Sequence, residues 1–149
     1  MRSTRAGVVS GIPTDATTVV GVGCDVHYVA QVAQGIEVFG EKYLERVFTF
    51  AERADCVGGN VAERLAGRFA VKEAVFKAMR IPRDVAIPWP TIEVRTAPDG
   101  APYVMLHGTA AERAADLGIM RFEVSISHET GVALGFAVAL ADSRLQVSA

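Results

Sequence analysis

The amino-acid sequence predicts a single α+β domain in which an antiparallel sheet packs on a long helix. The chain has 149 residues, of which 50% are hydrophobic, so it is long enough for one domain with its own core. An apolar segment of helical period, residues 61–80, is the longest helix that the sequence predicts. Short β-prone segments precede and follow it, and the later ones are joined by tight turns, which favours antiparallel pairing.

The N-terminal segment predicts one strand and then helices. Residues 18–23 form a β-prone run that ends in glycines, and Asp25 follows at the point where the strand gives way to a helix. Valines at near-helical spacing predict that helix over 26–34, and a short helix follows over 41–47.

Capping residues mark the two helices that come next. Thr49, with a glutamate at the capping-box position, predicts a short helix that ends at Cys56. Asn60 is a plausible cap for the long helix over 61–80. Ile81-Pro82 stops that helix, because proline cannot continue the hydrogen-bond ladder.

The C-terminal part predicts a hairpin, a helix and two further strands. Alternating residues over 91–96 and a returning strand over 103–107 flank the turn Pro98-Asp99-Gly100. The remaining predicted elements are a helix capped by Thr109 that runs through Leu117 and ends at Gly118, a strand over 122–127, a turn over 128–131 and a strand over 132–140.

The composition limits the classes of function. A net charge of −2 gives no global attraction to nucleic acid, and no apolar run reaches the roughly 20 residues that span a bilayer, so we expect neither as a partner. Cys24 and Cys56 lack metal-binding spacing, which suits free thiols in a reducing cytoplasm. Residues 1–17 lack the apolar core of a signal peptide, so we expect a flexible extension before one domain over 18–149.

The central helix places charges beside an apolar stripe. The stripe is formed by Leu65, Phe69, Phe76 and Met79. Lys72 projects from its middle, Glu73 lies at its edge, and Lys77 follows Glu73 at i+4. These groups indicate a site for an anion and a metal. The alternative is an ordinary solvated rim, with a Glu73–Lys77 surface ion pair and a Lys72 whose stem lies along the apolar face. Arg68 is equally open to a surface role.

Two other positions could carry chemistry. Asp25 is either an N-cap for the following helix or a carboxylate ligand for Mg²⁺. His128 ends the strand that contains Ser127, and it either bonds to backbone or serves as a phosphate contact or proton carrier. A serine nucleophile is not indicated, because the chain has no GxSxG elbow. His27 and His107 lack zinc-ligand spacing.

Three segments together resemble the holo-acyl-carrier-protein synthase type of 4′-phosphopantetheinyl transferase. They are Gly21-Val22-Gly23-Cys24-Asp25-Val26, the segment LAGRFAVKEAVFKA over 65–78, and Val124-Ser125-Ile126-Ser127-His128. The resemblance covers about residues 19–140. It implies the fold of that family, a homotrimer with sites between adjacent subunits, and transfer of 4′-phosphopantetheine from coenzyme A to a serine of an apo acyl carrier protein, with release of adenosine 3′,5′-bisphosphate.

The resemblance also implies residue roles. Asp25 and Glu73 would bind Mg²⁺, and with Lys77, which would neutralise the phosphates, they form the expected catalytic set. The expected coenzyme A contacts are Arg68, Lys72, Lys77, Ser127 and His128, of which His128 would serve a neighbouring subunit's site. The general base stays open between Glu73, a metal-bound water and bulk water.

One departure from the family pattern bears on the partner. The helix after Asp25 carries no arginine over 27–34, whereas many family members dock an acidic carrier with arginines there. The carrier, of fatty-acid or polyketide type, is therefore expected to be specialised. Two rival interpretations follow, namely a non-catalytic protein of the same fold that binds coenzyme A or a nucleotide, and a structural or interaction module.

Overall fold

The computed structural model of the chain describes residues 17–143. The predicted extension, residues 1–17, lies outside the described residues except for Thr17, which begins the first strand. The described residues form helices and two antiparallel sheets, so the predicted α+β class and antiparallel pairing are confirmed.

The larger sheet has three strands in the order β1-β5-β4, all antiparallel. They are β1 (Thr17–Tyr28), β4 (Ile119–Glu129) and β5 (Val132–Asp142). The smaller sheet is the predicted hairpin of β2 (Ile92–Thr96) and β3 (Pro102–Leu106). The helices are α1 (Val29–Phe39), α2 (Glu41–Val47), α3 (Phe50–Ala54), α4 (Val61–Ala78) and α5 (Gly108–Asp116), and a 3₁₀ turn covers Trp89–Thr91.

Helix α4 packs against the larger sheet through a ridge of small residues. Alanines at four-residue spacing form the ridge and are fully buried, namely Ala66, Ala70, Ala74 and Ala78. Gly21 and Gly23 of β1 and Gly135 of β5 lie directly under this ridge. Because neither side carries a large side chain, the helix backbone approaches the sheet closely, which fixes where α4 lies relative to β1.

The start of the first helix was predicted too early. Residues 24–28 continue β1, because each pairs with a residue of β5, from Cys24 with Phe136 to Tyr28 with Val132. The helix begins at Val29 instead of Val26 and runs to Phe39. Asp25 is therefore a strand residue and not an N-cap.

The other boundaries show smaller differences. The capping box of Thr49 and Glu52 is confirmed, with hydrogen bonds in both directions. Helix α5 begins at Gly108 with His107 as its N-cap, so Thr109 lies inside the helix and is not the cap. Strand β4 extends past the predicted end and includes His128. Both cysteines are free, and no helix in the described residues is long and apolar enough to cross a membrane.

Candidate metal and phosphate site

The extended first strand brings Asp25 and His27 to the same face of the sheet, because side chains two residues apart in a strand share a face. Both face Glu73 of α4. The Nε2 atom of His27 lies 3.0 Å from Oε2 of Glu73 and 3.9 Å from Oδ2 of Asp25. One ligand atom from each of the three residues lies within 4.8 Å of the others, so two distant segments converge on one point.

Lys77 completes this cluster from the next turn of α4. Its ammonium donates to Oδ1 of Asp25 over 2.7 Å and to the carbonyl oxygen of Cys24 over 2.9 Å. The alternative interpretation, a surface ion pair of Lys77 with Glu73, is therefore not what forms; Lys77 pairs with Asp25 instead. The side chain of Lys77 is 54% exposed, whereas that of Asp25 is 15% exposed, so the ammonium reaches the carboxylate from the solvent side.

Asp25 and Glu73 place two carboxyl groups side by side, which disfavours a negative charge on both at once. Burial and the adjacent Glu73 carboxyl raise the pKa of Asp25, although Lys77 opposes this. Burial alone would raise the pKa of Glu73, but the hydrogen bond from His27 and the other neighbours hold it below its ordinary value. The hydrogen bond to Asp25 in turn raises the pKa of Lys77. Asp25 is therefore the carboxyl whose negative charge its surroundings stabilise incompletely.

An unpaired atom tests whether the site suits a metal. The Oδ2 atom of Asp25 is buried and has no hydrogen-bond partner among the described residues, which costs about 1–3 kcal/mol for such an acceptor. Carboxylate oxygens are the protein ligands that Mg²⁺ prefers. Asp25 and Glu73 accordingly fit a divalent cation, which would both satisfy Oδ2 and neutralise the pair.

A cleft of about 460 Å³ opens beside the cluster. Asp25, Glu73 and Lys77 line it, and two exposed arginines on the loop after α4, Arg80 and Arg83, line its rim. Three cations around two carboxylates suit a ligand that carries several negative charges. Sequence reasoning missed both arginines, because nothing in the segment after the helix indicates that it lines the same cleft as the carboxylates.

Arg68 and His128 lie together in a second cleft of about 510 Å³. The buried guanidinium of Arg68 donates to Oγ1 of Thr96 over 2.7 Å, and its Nε has no partner among the described residues. Asp55 lines the same cleft, where the hydrogen bond from Arg95 lowers its pKa. Arg68 forms only a long ion pair of 4.0 Å with Asp55, whereas Arg95 engages that carboxylate at 2.7 Å, so Arg68 keeps capacity for an anion.

The two clefts lie on different sides of α4. Five residues separate Arg68 from Glu73, which corresponds to about 140° around the helix axis. The clefts share no lining residue. One chain therefore does not direct both sets of side chains at a single ligand.

Lys72 does not reach either cleft. Its side chain is 0% exposed, and its ammonium donates to Glu52 over 2.8 Å, to the carbonyl oxygen of Trp89 over 3.0 Å and to the carbonyl oxygen of Ile92. Burial lowers its pKa, and the Glu52 carboxylate opposes that shift. All three donors are used inside the fold, so the predicted coenzyme A contact by Lys72 is wrong for this arrangement, and the ammonium joins α3, α4 and β2 instead.

Ser127 is separated from His128 by the alternation of the strand. His128 faces α4, where its ring approaches the position of Gly67. The adjacent Ser127 points to the opposite, exposed face of the sheet. The two predicted contacts therefore lie on different faces, and in a single chain Ser127 does not line the Arg68 cleft.

Sequence reasoning did not assign His27 to the site. Placing the helix start at Val26 removed the two-residue periodicity that aligns His27 with Asp25. The signal that could have identified it is the spacing Asp-x-His on a continuing strand, which puts an imidazole beside the carboxylate.

Comparison with known proteins gives a consistent family. Residues 21–137 match the 4′-phosphopantetheinyl transferase superfamily. The chain is 40% identical to the holo-[acyl-carrier-protein] synthase of Desulforudis audaxviator over 129 residues, which cover 86% of this chain and 98% of that protein. It is 40% identical to the synthase of the same name from Koribacter versatilis over 111 residues, which cover 74% and 89%.

A solved structure shows the same fold with a ligand. The crystal structure of the Helicobacter pylori holo-[acyl-carrier-protein] synthase in complex with coenzyme A superposes with a TM-score of 0.70 at 28% sequence identity. The match covers 79% of this chain and 98% of that one. The fold described above is therefore similar to one that binds coenzyme A in a relative.

Proposed function

The chain belongs to the 4′-phosphopantetheinyl transferase superfamily, and we propose on that premise that its two clefts carry out the family reaction. The protein is an enzyme that transfers 4′-phosphopantetheine from coenzyme A to a serine of an apo acyl carrier protein. The serine oxygen forms a new bond to the β-phosphorus of the pyrophosphate and loses its proton, the bond from that phosphorus to the bridging oxygen breaks, and adenosine 3′,5′-bisphosphate leaves. The observation that carries the proposal is the convergence of Asp25 and Glu73 beside Lys77.

Asp25 and Glu73 would hold Mg²⁺, which when bound supplies charge neutralisation and orientation to the pyrophosphate. The orphaned Oδ2 of Asp25 and the raised pKa of this carboxyl support that assignment. Lys77 pairs with Asp25, and its ammonium is exposed. When a bound divalent cation neutralises Asp25 instead, this ammonium would turn toward a phosphate. Arg80 and Arg83 add positive charge at the rim of the same cleft.

The proposed reaction needs no nucleophile from the enzyme. The attacking hydroxyl belongs to the carrier, so the enzyme must hold that oxygen in line with the leaving phosphate and stabilise the charge that develops. In agreement with this, the neighbours Ser127 and His128 occupy opposite faces of β4 and are not directed at each other.

We further propose a homotrimer in which each site is built from two subunits. The separation of the Arg68–His128 cleft from the Asp25–Glu73 cleft in one chain supports this, because a neighbour would supply the missing half. An exposed apolar face on the larger sheet, formed by Val22, Val26, Leu134 and Phe136, offers a surface for self-association. The reaction is expected in the cytoplasm, where fatty-acid or polyketide carriers would be the partners.

A transfer assay tests this function. Purified protein, coenzyme A, Mg²⁺ and an apo carrier should give a carrier whose intact mass has increased by one phosphopantetheinyl group. Apo carriers of fatty-acid, polyketide and peptidyl type form the panel. If no carrier gains mass while the protein is folded, the proposed reaction is wrong.

A second candidate is a non-catalytic protein that binds coenzyme A. One observation favours it, namely that helix α1 has no basic residue in its last turn and exposes Gln31 and Gln34 where a carrier would meet cations. Calorimetry distinguishes the two functions. Tight binding of coenzyme A without any transfer across the panel would support the second candidate.

A further inference from the structure

His27 takes no part in the function proposed above, although it lies at its centre. Its Nε2 is 3.0 Å from a Glu73 oxygen and 3.9 Å from an Asp25 oxygen. Its side chain is 15% exposed, the same fraction as that of Asp25. An imidazole that only filled space would not need to direct a ring nitrogen between two carboxylates.

The ring of His27 is held in position by aromatic packing. It stacks on Phe69 with a centroid distance of 4.3 Å and an interplanar angle of 23°. Phe69 in turn meets Trp89 edge to face at 5.2 Å and Phe48 at 6.2 Å. This aromatic cluster limits rotation of the imidazole, so Nε2 stays directed at the carboxylates. Such preorganisation is what a metal ligand requires.

The distances suit one shared ion. Ligand atoms on opposite sides of a small divalent ion lie about 4.2 Å apart, because each is about 2.1 Å from the ion. The three ligand atoms of Asp25, His27 and Glu73 lie within 4.8 Å of one another, so shifts of less than an ångström would bring them to one ion. The hydrogen bond between His27 and Glu73 would then be exchanged for two bonds to the metal.

A nitrogen ligand changes which metal the site prefers. Magnesium and manganese both accept oxygen ligands, but an imidazole nitrogen suits first-row transition metals better than Mg²⁺, and the affinity of a given site rises from Mn²⁺ through Co²⁺. A site of two carboxylates alone would discriminate little in favour of these metals through ligand type. One imidazole in addition to the two carboxylates favours Mn²⁺ and Co²⁺ over Mg²⁺.

We infer that His27 is a third ligand of the divalent ion held by Asp25 and Glu73, and that it sets the metal preference of this protein toward Mn²⁺ and Co²⁺ over Mg²⁺. The inference rests on the proposed function only in that Asp25 and Glu73 bind a metal. It needs no transfer activity and can be measured on the protein with metal alone.

Pulsed electron paramagnetic resonance on bound Mn²⁺ tests the inference directly. The full chain, without a polyhistidine tag, should show the ¹⁴N coupling of a directly bound imidazole. His27→Gln, which can still hydrogen bond to Glu73, should lose this coupling. Calorimetry should show that the ratio of Mn²⁺ affinity to Mg²⁺ affinity falls by about tenfold or more in that variant.

The same substitution elsewhere is the matched control. His107 is an exposed histidine outside both clefts, and His107→Gln should retain the nitrogen coupling and the wild-type affinity ratio. Bound Mn²⁺ without nitrogen coupling, or an unchanged ratio in His27→Gln, would overturn the inference and leave His27 as a residue that only orients Glu73.

A further pair of variants separates this result from failure of the metal assignment itself. Asp25→Asn and Glu73→Gln should each weaken Mn²⁺ binding strongly. If both bind Mn²⁺ as the wild type does, the ion is held elsewhere, and both the proposed metal site and the role of His27 are refuted. Normal weakening in these variants with no effect of His27→Gln refutes the role of His27 alone.

Discussion

Gly23 lies so close to Ala74 that a Cβ atom at position 23 would stand 1.8 Å from the carbonyl oxygen of Ala74. The same holds one turn along the helix, where a Cβ at Gly21 would stand 2.0 Å from the carbonyl oxygen of Ala78. Backbone atoms cannot move aside as a side-chain tip does. The glycines before Asp25 therefore determine how near β1 comes to α4, and with it the distance from Asp25 to Glu73.

Gly23→Ala should consequently impair both stability and the site. We expect the free energy of unfolding to fall by about 3 kcal/mol, at the upper end for an overpacked interior, and metal binding to weaken because Asp25 is two residues away. Urea unfolding and Mn²⁺ calorimetry measure the two effects. Gly35→Ala is the contrasting control, since the added methyl would stand 2.8 Å from the ring of Tyr43, a side chain that can shift where the backbone of Ala74 cannot, and alanine favours a helix. A Gly23→Ala protein as stable as the wild type would contradict this contact.

Lys72 and Lys77 should show opposite behaviour when each is changed to methionine. Lys72→Met removes the partner of buried Glu52 and should lower the free energy of unfolding by about 3–5 kcal/mol, with coenzyme A affinity of the folded protein unchanged. Lys77→Met should cost about 1 kcal/mol or less but weaken coenzyme A binding. Urea unfolding and calorimetry with coenzyme A distinguish them. Loss of affinity in Lys72→Met at normal stability would restore Lys72 to the phosphate site.

Because Asp55 forms an ion pair with Arg95, the free energy of unfolding should depend on pH under acidic conditions. The hydrogen bond from Arg95 lowers the pKa of Asp55 below its ordinary value of 3.8. Its stabilisation is therefore complete above that ordinary value and is lost as the pH falls through the lowered pKa of the folded state. Asp55→Asn should be less stable than the wild type at neutral pH, and the difference should vanish in strong acid.

Thermal or urea unfolding over a range of pH measures this difference. Asp84→Asn is the control, because Asp84 is exposed and makes no ion pair among residues 17–143 that the structure describes. A difference between wild type and Asp55→Asn that stays constant from neutral pH into acid would contradict the assigned cause.

Complementation tests whether two subunits share each site. Glu73→Gln and His128→Ala should each lose most of the activity alone, since each impairs one half of every site. If a site takes Glu73 from one subunit and His128 from the next, random mixed oligomers should recover about a quarter of the sites. Co-expression of differently tagged variants followed by a transfer assay measures this. No recovery in oligomers shown to be mixed would place both halves within one chain.

Sequence patterns predicted the elements of the fold well where local chemistry decides them. The turn at Pro98-Asp99-Gly100 and the capping box at Thr49 were both found in place, because each depends on residues close in sequence. The start of α1 was predicted three residues too early. The end of β1 is set by pairing with β5, more than 100 residues away, and no local pattern carries that information.

The residues of the candidate site were likewise predicted where a local motif names them and missed where distant contacts decide. Asp25, Glu73 and Lys77 were named from motifs and do converge. Lys72 was predicted to contact coenzyme A, but it is buried and pairs with Glu52. That pairing depends on how α3 packs against α4, which no local pattern indicates. The alanine ridge of α4, which meets the larger sheet, was not predicted. Contacts between distant segments, and not residue types, account for these differences.

The most direct test of the central claim measures transfer by the wild type against variants of the two carboxylates. Intact-mass analysis of an apo carrier after incubation with coenzyme A and Mg²⁺ should show modification by the wild type. Asp25→Asn and Glu73→Gln, each verified as folded, should be slower by about a hundredfold or more because the metal is lost. A carrier modified at near-normal rates by both variants would contradict the assignment of Asp25 and Glu73 as the centre of the reaction.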